Sequence, residues 1–255
     1  EIKAVILTHS ETSTGVINDL KTISSYIRDH NSALSIVDCV TSLGACNVPI
    51  DEWDLDIVAS GSQKGYMIPP GLSFVTMSQK AWKAAEKSNL PKFYLNLQSY
   101  RKSLLTNSNP YTPAVNLVFA LDEALKMMRD EGLNNIFLRH KKHQLAISNA
   151  VKVLNLKLFA DEKYLSPSIT AIETGEMDAE EFRKTIKNKF DILLAGGQDH
   201  LKGKIFRVGH LGYVNDRDII TVVSAISNTH FDLKKITAQQ AGEALVTASK
   251  YLEKN

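Results

Sequence analysis

Three short apolar runs that do not alternate with polar residues do most to limit the fold of this chain. They are "AVILTHS" (4–10), "ALSIVDCV" (33–40) and "LDIVASG" (55–61), and each ends in polar or small residues. Continuous apolar runs of this length suit strands covered on both faces, as in parallel sheets. Between the first two runs, residues 16–30 place Val16, Ile17, Leu20, Ile23, Tyr26 and Ile27 at helical spacing. Strands joined by helices predict a mainly parallel α/β sheet. A fourth run, "LSFVTMS" (72–78), follows the third after a short loop, which suits an antiparallel edge strand.

Further on, "SQKAWKAAEKS" (78–88) reads as a helix, followed by an irregular polar stretch to about Asn109. Residues 112–132 predict a long helix with Thr112 as N-cap, Pro113 at the first helical position and Gly132 as its stop. Leu117, Leu121, Ala124, Leu125 and Met128 form its expected core stripe. A second long helix covers 135–155. After it the pattern changes to strands at 156–160, 168–174 and 204–212, and helices at 178–190 (capped by Asp178), 215–228 and 237–254. This predicts a smaller α+β unit, with domains at 1–131 and 132–255.

Composition narrows the function classes. The chain has 255 residues, 44% of them hydrophobic, and a formal net charge of +2. Without a long basic run, nucleic acid is not suggested. No apolar run reaches the roughly 18–20 residues of a membrane span. Cys39 and Cys46 are the only cysteines and lack C-x-x-C spacing, which fits a reduced, cytoplasmic protein without disulfides or an iron–sulfur or zinc centre. The C-terminal "YLEKN" is not a peroxisomal signal. The chain opens at Glu1 and enters a strand at once, so the reading expects further sequence upstream.

In open α/β sheets, ligands collect outside the carboxyl ends of the strands. Here those ends carry "HSETSTG" (9–15), Asp38, and "SGSQK" (60–64). A carboxylate at a buried strand end needs a partner, because desolvating a bare charge is costly. A protonated heteroaromatic nitrogen is one such partner. Lys64 is a candidate Schiff-base amine. Together Asp38 and Lys64 suit a pyridoxal 5′-phosphate (PLP) site, although by spacing alone a turn aspartate and a solvated loop lysine are the commoner explanation.

The strings "THSETSTG", "VDCVTSLG", "SGSQKGYMIPPG" and "FRVGHLG", in this order, resemble the class V aminotransferases of fold type I. They look most like the alanine–glyoxylate, serine–glyoxylate and serine–pyruvate branch. The resemblance implies that Lys64 holds the cofactor aldehyde and shuttles the proton, that Asp38 pairs with the pyridinium nitrogen, and that Gln63 lies beside the phosphate. It implies that Thr12 contacts the cofactor and that Arg207 binds the substrate α-carboxylate. His9 lies near the site, where a structural role serves equally. Tyr111 and Thr112 would reach across a homodimer interface to the partner's phosphate. The substrates implied are a small amino acid, alanine or serine, and a 2-oxo acid, glyoxylate or pyruvate. Family members are longer, so the phosphate loop and the ring-stacking aromatic are expected in a segment ahead of Glu1. Gln63, where cysteine desulfurases usually place a histidine, points away from that alternative. Some relatives carry the name of a soluble hydrogenase subunit, which keeps a non-catalytic role open.

Overall fold

The computed structural model describes residues 2–30 and 32–253. The first part of the chain runs β1 (Ala4–Thr8), β2 (Ser10–Glu11), β3 (Val16–Ile17), α1 (Leu20–His30), β4 (Leu34–Asp38), β5 (Ile57–Gly61) and β6 (Ser73–Met77). It continues through α2 (Gln79–Glu86), α3 (Leu97–Leu104), α4 (Val115–Glu131) and α5 (Leu133–Val153). The rest is β7 (Lys157–Leu158), β8 (Ile169–Glu173), α6 (Ala179–Phe190), β9 (Ala195–Gly196), β10 (Ile205–Gly209), α7 (Asp216–Asp232) and α8 (Ala238–Leu252).

The first sheet has the order β1-β4-β5-β6. β1, β4 and β5 are parallel, and β6 is antiparallel, as its short connection requires. Leu7, Val37 and Val58 point to one face and pack with Leu20 of α1, Cys39 and Leu55. The opposite face corrects the expectation of cover on both sides. Its row of Ile6, Ile36 and Ile57 is only partly buried, Ile6 being 79% exposed. Among the described residues, α1 and the loop after β4 cover one side only.

Three local readings also change. Val16 and Ile17 do not begin the helix; they pair with Ser10 and Glu11 in a hairpin. The helix starts later, where Asp19 Oδ1 accepts from Thr22 N at 3.1 Å and acts as its cap. The stretch expected to be irregular contains α3, started by Asn96, whose side chain accepts from Gln98 N. Thr112 caps nothing: α4 follows Ala114, which makes no side-chain cap bond, and Val115 N instead bonds Pro113 O in a tight turn. On α4, Ala124 and Met128 are buried and Leu117 and Leu121 half-buried, but Leu125 is 47% exposed.

The second sheet, β7-β8-β10-β9, is antiparallel throughout. Ile172, Phe206 and Val208 from it meet α5, α6, α7 and α8 in a second core. Ala146, Ala150, Ala244 and Ala248 are fully buried there, and their small side chains let α5 and α8 pack closely. Phe182 of α6 stacks on Phe206 with ring centroids 5.2 Å apart. The β2–β3 hairpin joins the two parts. Ser166 N donates to Gly15 O at 2.9 Å, and Ser10 Oγ lies 2.8 Å from Ser166 Oγ, which lies 2.9 Å from Ser168 Oγ.

Two fully buried histidines tie the second core to acidity. His140 Nδ1 bonds Ile136 O at 2.8 Å, and His210 Nε2 bonds Thr170 Oγ1 at 2.9 Å. Burial lowers their pKa values, His140 to about 4 and His210 to about 3. An unfolded histidine titrates near 6.5, so below that pH the unfolded chain binds protons that the folded chain refuses. Stability is therefore highest above pH 6.5 and falls as pH drops toward 4, by about 1 kcal/mol per pH unit for each histidine. Urea denaturation at a series of pH values should show this slope, and it should flatten in His140→Gln/His210→Gln.

Candidate active site

The site is built from strand ends. β5 leads through Ser62 into the Lys64 turn, and Ser62 closes the following loop. Its Oγ donates to Pro69 O at 2.8 Å and accepts from Leu72 N at 3.2 Å. Met67 N donates back to Lys64 O at 3.0 Å. Gly65 rests directly on the turn that follows β4; a Cβ there would collide with Leu43 O and stand 2.9 Å from Gly44 Cα. Only glycine permits that approach.

A cleft of about 240 Å³ opens at these ends, lined by Thr12, Thr41, Gln63, Lys64, Ser168, Ile169, Gly209 and Leu211. Loops following β1, β4 and β5 supply one wall, and the ends of β8 and β10 supply the other. Lys64 is half-buried, and its amine makes no hydrogen bond or ion pair among the described residues. The hydroxyls behind it are ordered: Thr12 Oγ1 donates to Thr41 Oγ1 at 3.2 Å, and Thr41 Oγ1 donates to Ser10 O at 2.9 Å.

Arg207 sits on β10, 7% exposed, behind Thr12. Nη1 donates to Thr12 O at 2.8 Å and Nε to Gly196 O at 2.9 Å. Burial pulls its pKa down from the usual guanidinium value, and the Glu11 carboxylate opposes that shift. Two carbonyls thus fix the guanidinium plane, while Nη2 has no partner among the described residues.

The remaining residues fall in different places. Asp38 ends β4 beside Ala59 of β5, but it is exposed on the open face, not buried as the sequence reading expects. Its Oδ1 accepts from Val40 N at 2.8 Å. His9 is buried edge-on to Trp53, with ring centroids 6.4 Å apart, and burial lowers its pKa to about 4. It does not line the cleft. Tyr111 lies in an aromatic cluster with Phe93, Tyr94 and Tyr100, its Oη donating to Phe93 O at 2.8 Å. Thr112 is exposed, and neither residue lines the cleft of this chain. Sequence reading missed Thr41, Ser168, Ile169, Gly209 and Leu211. Thr41 and Gly209 lie inside strings that carry the resemblance, whereas Ser168 and Ile169 begin a strand whose only signal is its apolar run.

Parallel strands that deliver a lysine turn and a carboxylate to one edge, closed by a smaller antiparallel unit, define a PLP-transferase fold of type I. Residues 1–199 match the family Aminotransferase class-V, and the chain belongs to that family. The soluble hydrogenase 42 kDa subunit of Anabaena cylindrica is 59% identical over 226 residues, covering 89% of this chain and 59% of that protein. The serine–glyoxylate aminotransferase of Methylorubrum extorquens is 35% identical, covering 100% of this chain and 65% of its own length. The crystal structure of ureidoglycine–glyoxylate aminotransferase from Bacillus subtilis superposes with a TM-score of 0.89 at 31% identity, over 97% of this chain and 65% of that one. The chain thus spans about three fifths of the length of its curated relatives.

The family implies PLP, and the donor set fits it. Lys64 offers an amine without a hydrogen-bond or ion-pair partner among the described residues. Thr12, Thr41 and Gln63 offer hydroxyl and amide donors, and Asp38 offers a carboxylate on the adjoining strand. The cleft depends on the Gly65 contact. Gly65→Ala should push the Lys64 turn off the Leu43–Gly44 backbone and destabilise the protein by about 1–3 kcal/mol, read as a lower urea midpoint.

Proposed function

We propose that the protein is a PLP-dependent aminotransferase that passes an amino group from a small amino acid, alanine or serine, to a 2-oxo acid, glyoxylate or pyruvate. The observation that carries this reading is the Lys64 amine, without a partner among the described residues, in a cleft between the strand ends and β8–β10. The cofactor, when bound, supplies an electron sink that makes the substrate Cα proton acidic. Lys64 would hold it covalently and, once displaced by the amino acid, its Nζ would take the proton from Cα and return it on the other side of the transfer. Asp38 would keep the ring nitrogen protonated. Gln63, Thr12 and Thr41 would bond the phosphate side. Arg207 Nη2 would bind the substrate α-carboxylate, the other two nitrogens being committed to Thr12 O and Gly196 O. Ile169 and Leu211 give the cleft an apolar wall beside Gly209, which suits a short side chain.

The reading extends to the whole protein. Residues 1–131 would form part of the cofactor-binding domain and 132–255 the small domain, a division supported by the separate packing of Leu20, Val37 and Val58 and of Ile172, Phe206 and Val208. Tyr111 and Thr112, outside the cleft of their own chain, would serve the partner's site in a cytoplasmic homodimer. A cysteine desulfurase needs a reactive thiolate, and here burial pushes Cys39 up to about 11 and Cys46 to about 12. A second reading, a non-catalytic subunit with this fold, is favoured by the name of the Anabaena relative.

Incubation with PLP followed by borohydride should fix a pyridoxyl group on Lys64, found by peptide mass spectrometry and lost in Lys64→Ala. Labelling elsewhere, or none, would favour the scaffold reading. In the active enzyme Arg207→Lys should raise KM for the amino acid about tenfold or more, because a single ammonium cannot hold both carbonyls and the carboxylate.

A further inference from the structure

The back of the Lys64 turn is held by residues far away in sequence. Gly212, in the loop after β10, has φ +87°, and a Cβ placed on it would stand 3.1 Å from Lys64 O and 3.5 Å from Met67 Cγ. Its backbone therefore lies near the same carbonyl that accepts the Met67 N–H, with little room for a side chain between them. Both of its polar groups are taken up by adjacent residues of α5. Gly212 N donates to His140 Nε2 at 3.1 Å, and Gly212 O accepts from Arg139 Nη1 at 2.9 Å and also from Val214 N at 2.9 Å. Arg139 Nη1 also donates to Val214 O at 3.0 Å. Its other two nitrogens grip Glu131 at the end of α4, Nε to Oε1 at 2.6 Å and Nη2 to Oε2 at 3.0 Å.

This arrangement has little freedom. The Ile136 carbonyl accepts a hydrogen bond from His140 Nδ1–H, which leaves Nε2 as an acceptor. Burial keeps the ring neutral near pH 7, its pKa lowered to about 4. The guanidinium is anchored at three nitrogens, so its plane cannot turn without breaking the Glu131 pair.

We propose that Arg139 and His140 are positioning residues for Lys64: by fixing both polar groups of Gly212, they hold the peptide that backs the lysine turn and so set the direction of its amine. The proposal rests on the reading of Lys64 as the reactive amine, while its test needs neither cofactor nor turnover. Hydrogen exchange of the Met67 amide reports the turn, and acetylation of Lys64, followed by mass spectrometry, reports the amine. Lys80, held by Ala33 O at 2.7 Å on the far side of the first sheet, is the internal control.

In the full chain without PLP, Arg139→Met and His140→Leu should each speed Met67 exchange and Lys64 acetylation by about tenfold, with Lys80 unchanged. His140→Gln, which returns an acceptor near the Nε2 position, should restore both. Unchanged rates at Met67 and Lys64 in a folded variant would overturn the proposal, and so would an equal rise at Lys80. Should either variant fail to fold, Arg139→Lys, which keeps the charge but not the fork that reaches Gly212 O, provides the same reading. It must alter the Lys64 and Met67 rates without altering Lys80, or the brace does not act through Gly212. Failure of Lys64 to carry a cofactor would sink the aminotransferase reading while leaving these rates to stand or fall independently.

Discussion

Parallel pairing of β1, β4 and β5 is the constraint from which the site follows. Strands that run the same way end at the same edge, so the loops bearing Thr12, Thr41 and Lys64 are delivered together without any of them being near in sequence. Pairing alone leaves those loops loose. Their spacing is set where backbone meets backbone, at Gly65 against Leu43 and Gly44, and at Gly212 against Lys64 O. Contacts without side chains have almost no way to relax, so the lysine turn inherits the rigidity of both neighbours.

The β2–β3 hairpin does for the two cores what the glycines do for the loops. It continues directly from β1 and bonds Thr41 of the first unit, and it also bonds the second unit: Ser10 to Ser166, Gly15 O to Ser166 N, and Thr12 O to Arg207. A buried hydroxyl cluster is stable only when its members bond one another, and Ser10, Ser166 and Ser168 do so. The same hairpin therefore fixes the cleft's far wall and orients the arginine behind it. Among the described residues Arg207 is held by carbonyls, with no carboxylate in a direct ion pair with it.

Much of this was legible in the sequence. The apolar runs located β1, β4, β5 and the antiparallel β6, because strand burial is written in composition. The polar residues after those runs pointed to the correct edge of the sheet. Val16 and Ile17 were misread because their spacing continues the stripe of α1, and periodicity cannot show that Asp19 caps the helix three residues later. Thr112 and Pro113 carry the residue types of a helix start, but a tight turn at Pro113–Val115 moved it downstream. The brace from Arg139 and His140 had no local signal at all. Its hydrogen bonds span more than 70 positions, and a charged residue on a helix looks the same whether it faces water or a carbonyl.

The exposure of Asp38 follows from the face on which it lies. It shares a side of the sheet with Ile6, Ile36 and Ile57, the side that lacks full cover among the described residues. A carboxylate there is stable while water solvates it. Laying an apolar surface over the three isoleucines would strip that water and cost several kcal/mol unless the cover brought a hydrogen-bond donor to the carboxylate. The apolar run that made β4 look doubly buried and the acid at its end that made it look partnered thus set one requirement: whatever covers this face must also bring a donor to Asp38.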